Sequence, residues 1–139
     1  MTWQSWALLS AVFAALTAIF AKVGVSDINS DVATLIRTVI ILCVLALIVL
    51  ATGQWQELSG VSSRTWLFLT LSALATGASW VCYFRALKIG DAARVAPVDK
   101  LSIVLVAVFG VLMLGERLSA ANWLGVGLCT AGIMLIAVR

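Results

Sequence analysis

Histidine is absent, proline occurs once, and only 11% of the 139 residues are charged. Without histidine, imidazole acid–base catalysis, imidazole metal ligation and the usual charge switch near neutrality are excluded. The shortage of charge excludes more. A soluble domain of this length carries about a quarter charged residues and at most about half apolar ones, whereas 63% of this chain is hydrophobic and its mean hydropathy is +1.15. Polar side chains are too few to coat such a core, so the solvent must be lipid. The nine Lys and Arg and six Asp and Glu are scattered singly, which excludes a nucleic-acid patch and hence nucleic acid as a partner. Cys43, Cys82 and Cys129 lie in three different apolar stretches with no CxxC pair, so they read as free core thiols rather than a metal site or a disulfide framework. No nucleophile has a base beside it and no ligand cluster is present, so an enzyme is the least favoured class, and no catalytic residue, metal or cofactor is implied.

Five long apolar runs are what remains: residues 3–21, 32–51, 66–86, 92–114 and 120–138. Each suffices to cross a hydrocarbon core of about 30 Å, which takes about 20 residues of helix. Spans of this kind are helical, because unpaired backbone in lipid is too costly and the runs lack the alternation of an outer-membrane strand. The chain is thus expected to be all-α, a polytopic membrane protein with five transmembrane helices forming one domain over 1–139. Its N-terminus lacks the cationic region of a cleaved signal, so the first run is kept as a span. The connections, 22–31, 52–65, 87–91 and 115–119, are short enough to make successive helices antiparallel neighbours. With five crossings, Lys22, Arg85, Lys88, Arg94 and Arg139 border one membrane side, against Arg64 and Arg117 on the other. The positive-inside rule then puts the C-terminus in the cytoplasm and the N-terminus outside.

Charge inside the spans carries the functional signal. Arg37 lies about 9 Å into the second span at 1.5 Å per residue, and Asp99 and Lys100 lie seven and eight residues into the fourth. Such groups cost at least about 2.5 kcal/mol near the bilayer centre and need a partner or a wet cavity. Both spans are entered from the same side, which places the three charges at similar depth. They form either a substrate or ion site in a cationic cavity, or an Arg37–Asp99 or Asp99–Lys100 pair that fixes helix register. Pro97 precedes the charged pair. With a helix starting near Asp91, a good N-cap, Pro97 either removes a backbone donor and kinks the span or only shapes the helix start. Trp80 and Tyr83 in the third span line a cavity or fill the interior, while Trp3, Trp6, Trp66 and Trp123 near span ends read as interfacial anchors. Small residues, at four-residue spacing as Ala7, Ala11 and Ala15 in the first span, with Ala73 and Gly77 in the third and Gly125, Gly127, Ala131 and Gly132 in the fifth, suit close helix packing in lipid.

The fourth-span sequence Val-Ala-Pro-Val-Asp-Lys-Leu-Ser (95–102), the turn Leu-Gly-Glu-Arg-Leu-Ser (114–119) and the Gly-rich fifth span resemble the EamA domain of the drug/metabolite transporter superfamily. Lys22 closing the first span, and Asp31, Ala33-Thr34 and Arg37-Thr38 opening the second, extend the resemblance over essentially the whole chain and narrow it to the half-length, five-span bacterial and archaeal members. The resemblance implies half of a ten-helix transporter of two inverted repeats in the cytoplasmic (inner) membrane, moving small metabolites, often outward, by alternating access. One half cannot enclose a pathway between repeats, so it further implies a homodimer, antiparallel or parallel, or a partner half of opposite topology. Small four-span exporters of the superfamily trade protons for cationic drugs through a first-helix glutamate; this first span has no carboxylate. With Arg37 and Lys100 in the spans, an anionic or zwitterionic metabolite is favoured. The candidate substrate-binding residues are Arg37, Lys100, Asp99, Trp80 and Tyr83, with Pro97 as the kink. The rival expectation is a non-transporting subunit that assembles with or regulates a larger membrane complex.

Overall fold

A computed structural model describes residues 2–138. Arg139, counted above among the basic residues of the C-terminal side, lies outside the described residues. Among the described residues there is no strand, and six helical segments build the five expected spans: α1 (Trp3–Gly24), α2 (Ser30–Ala51), α3 (Ser63–Ile89), α4 (Ala92–Asp99), α5 (Ser102–Leu114) and α6 (Ala120–Ala137). Together α4 and α5 make the fourth span, Ala92–Leu114.

The helix ends follow local chemistry more than hydropathy. The first span runs on through Lys22 to Gly24, and the second opens earlier than its apolar run because Asn29 caps it, accepting from the backbone N–H groups of Asp31 and Val32; an acceptor there satisfies donors that have no intrahelical partner. Ser119 caps α6 in the same way through Asn122 N–H. Gly115 ends α5 at φ 69°, the left-handed conformation that glycine adopts without a Cβ penalty. A short 3-10 turn, Leu58–Gly60, sits in the second connection.

The chain falls into two compact units, Phe20–Lys88 and the remainder. In Phe20–Lys88, the close of α1, the start of α2 and the close of α3 gather at one end around buried Ala21, Val25, Ala33, Phe84 and Leu87. Buried Thr34 is satisfied locally, its hydroxyl donating to the Ser30 carbonyl at 2.8 Å. In the other unit α6 packs against α4 and α5, Ile133 is buried, and Gly110 on α5 is covered by the side chain of Glu116. Most large apolar side chains are exposed on the chain itself, the pattern expected of helices whose outer faces meet lipid. The same holds for the thiols: Cys43, Cys82 and Cys129 are free but exposed. They are not the core residues the sequence suggests, because an apolar membrane helix has no need to turn its apolar face inward.

Candidate functional site

Within Phe20–Lys88, two layers of charge line the α2–α3 seam. At its end Arg85 makes a two-pronged ion pair with Asp31, Nε to Oδ1 at 3.0 Å and Nη2 to Oδ2 at 2.7 Å. Two lysines are used as helix caps beside it. Lys22, in the last turn of α1, donates to the Leu87 carbonyl near the close of α3 at 2.8 Å, while Lys88, in the last turn of α3, donates to the carbonyls of Val25, Ser26 and Ile28 just past α1. Each cation therefore meets the electronegative C-terminal end of the other helix, where unpaired carbonyls favour positive charge. This exchange brings the C-terminal ends of α1 and α3 together.

Six residues further along α2, Arg37 reaches α3. Its Cζ lies 4.2 Å from the Trp80 ring centroid and 5.5 Å from that of Phe84. Trp80 and Phe84 are one helical turn apart and so share a face, and Tyr83 meets Phe84 edge-to-face at 6.4 Å. Among the described residues, Arg37 makes no hydrogen bond, and the ion pair formed within its own unit is Arg85–Asp31. A guanidinium at membrane depth costs about 2.5–3.5 kcal/mol on insertion scales, and a desolvated cation–π contact returns about 2 kcal/mol. The aromatic faces thus offset much of the cost while using none of the five N–H donors. The structure brings Arg37, Trp80 and Tyr83 to one neighbourhood and adds Phe84, which sequence reading passed over; the only signal for it was its i+4 spacing from Trp80.

Asp99 and Lys100 belong to the other unit. They stand where the fourth span is interrupted: α4 closes at Asp99, α5 opens at Ser102, and between them Lys100 N–H bonds Pro97 O and Leu101 N–H bonds Val98 O, with Ile103 and Val104 likewise bonding three residues back. The break falls three residues after Pro97. Lys100 Nζ lies 3.3 Å from Asp99 Oδ2, with both side chains over a third exposed, so the Asp99–Lys100 pairing is formed. Asp91 precedes α4 as its N-cap in extended conformation but makes no side-chain capping bond. No cluster of potential metal ligands occurs among the described residues.

A comparison with protein families matches residues 1–138 to the EamA-like transporter family. The chain belongs to this family. Among curated relatives of this EamA-like protein, an uncharacterized transporter encoded in the cobO 3' region of a Sinorhizobium species is 73% identical over 137 residues, spanning 99% of this chain and 97% of the relative. A probable 4-amino-4-deoxy-L-arabinose-phosphoundecaprenol flippase subunit, ArnE, of Hamiltonella defensa is 27% identical over 86 residues, 62% of this chain and 76% of the relative. No solved structure matches the EamA-like chain. Five apolar helices and membership of this family make it a multi-pass membrane protein of transporter type.

Proposed function

We propose that this EamA-like chain is one half of a secondary transporter that carries a small anionic or zwitterionic metabolite, as an exporter, across the cytoplasmic membrane by alternating access. It forms one membrane domain and works as a dimer, or with a partner half of opposite topology, its N-terminus outside and its C-terminus in the cytoplasm. The observation that carries the reading is the interruption of the fourth span at Lys100–Leu101, beside an ionisable pair. Broken helices at membrane depth are how transporters present backbone and charge to a ligand. In one unit Lys100 supplies a cation for a carboxylate or phosphate, with Asp99 as the switch that holds it when ligand is absent; in the other, Arg37 supplies a cation beside Trp80 and Tyr83, which line the path. The name of the ArnE relative adds support, since an aminosugar joined through phosphate to a lipid carries an amine and an anion together, and since it is called a subunit.

Reconstitution in vesicles with a panel of anionic and zwitterionic metabolites tests this. Flux is expected for at least one, and Lys100→Ala should lower it at least about tenfold, a loss of about 1.4 kcal/mol. Equal flux in both proteins overturns the assignment of Lys100, and no flux from any partner combination favours the regulatory-subunit reading.

A further inference from the structure

Of the two arginines that bridge α2 and α3 among the described residues, Arg37 and Arg85, Arg37 is the one whose donors are not already spent. Arg85, on α3, is held by both oxygens of Asp31, which lies six residues, about 9 Å at 1.5 Å per residue, nearer the start of α2 than Arg37. Arg37 is half-buried, is held by the Trp80 and Phe84 rings, and donates to nothing among the described residues. Since no buried side-chain nitrogen or oxygen among those residues lacks a partner, the unbonded nitrogens of Arg37 are not sealed off but keep accessible surface. A guanidinium lying on an aromatic face directs its N–H bonds outward in its own plane, and that edge matches two oxygens of one planar or tetrahedral oxyanion.

We infer that Arg37, fixed by Trp80 and Phe84, is a fork-shaped receptor for a single carboxylate or phosphate group, and that Phe84 is a positioning residue for it. The inference rests on the transport reading and narrows it: the ligand presents an oxyanion with two free oxygens, and the receptor requires a guanidinium rather than any positive charge. A spherical anion gains little from such a fork. Lysine, a point charge on a flexible stem, neither stacks in this way nor offers two parallel donors. Phe84 is uncharged and its ring centroid lies 5.5 Å from Arg37 Cζ, so its loss should loosen the fork without removing charge.

Inorganic phosphate and acetate, with chloride at equal ionic strength as control, are the probes, applied to the full chain in lipid nanodiscs. Radiolabelled probe gives the affinity, and the indole emission of Trp80, isolated as the difference between wild type and Trp80→Phe, gives the location. Saturable binding of phosphate or acetate that shifts the Trp80 emission is expected, with chloride silent. Arg37→Lys should weaken binding about tenfold or more, Phe84→Leu several-fold, and Trp80→Phe little, since a ring remains. Thermal melts of each variant in the same discs report folding separately. Undiminished binding by a folded Arg37→Lys protein, or an emission change that persists in Arg37→Gln, overturns the inference. Binding at Arg37 without vesicle flux leaves the receptor standing and overturns the transport reading; flux indifferent to Arg37→Lys does the reverse.

Discussion

Gly115 and Gly110 stand five residues apart and differ in what a methyl group would do. Gly115 sits at φ 69° with open space around it, so an added Cβ meets no atom but the backbone is strained. Gly110 has ordinary helical backbone, yet a Cβ there would come within 2.5 Å of Glu116 Oε2. Left-handed backbone costs a non-glycine residue about 1–2 kcal/mol, whereas the tip of a glutamate can swing aside. Gly115→Ala should therefore lower the melting temperature in nanodiscs by several degrees and Gly110→Ala should move it little; the reverse order would show that the Glu116 cover is rigid. At this scale much was legible from the sequence. Arg37, Asp99 and Lys100 stand out because charge in a span is expensive wherever it falls, and the Asp99–Lys100 pair is a neighbour contact along the chain. Phe84 was not legible, because one phenyl ring in an apolar run looks like any other lipid-facing residue until Arg37 is seen to lie against it.

Hydropathy located all five spans, because the backbone leaves lipid-exposed segments no choice but helix. Their ends are set by other forces. The third apolar run is 66–86, but α3 covers Ser63–Ile89, 27 residues, or about 40 Å at 1.5 Å per residue. Against a hydrocarbon thickness of about 30 Å, such a helix tilts or carries its polar turns beyond the core. The fourth span reads as one apolar run with a proline, while its interruption at Lys100–Leu101 depends on hydrogen bonds that hydropathy does not see. Pro97 removes one helical donor from the turn before that break. In Pro97→Ala that donor returns and the turn is free to regularise, so vesicle flux should fall at least about tenfold while the melting temperature holds or rises. A fall in both would mean that the proline serves folding alone.

At the scale of the whole molecule, the glycine positions of α3 and α6 are open: among the described residues nothing approaches within 4 Å of where a Cβ would stand at Gly77, Gly125, Gly127 or Gly132. Close helix approach at such faces is what holds assemblies together in lipid, and the proposed half-transporter would need a second half. Light scattering of the detergent-solubilised chain should return a protein mass of twice 14.7 kDa, and a monomer that still transports would refute the half-transporter reading. In the sequence that need is an implication of the family resemblance, and the sequence could not pair the helix ends. That Lys22 meets α3 and Lys88 meets the turn after α1 is tertiary information, of which the sequence shows only that both lysines close their helices.

The exchanged lysines alter how charge can be counted in this protein. In the proposed topology Lys22 and Lys88 count toward the basic side that would orient the chain during insertion, yet once folded they have traded water for peptide carbonyls. Replacing either one removes an orienting charge and at the same time uncovers acceptors at a helix end, so a topology scan at these positions records an insertion energy and a folding energy in one number. Arg94 and Arg117, whose side chains make no such bonds among the described residues, are the positions at which orientation can be varied without unpicking the three-helix end.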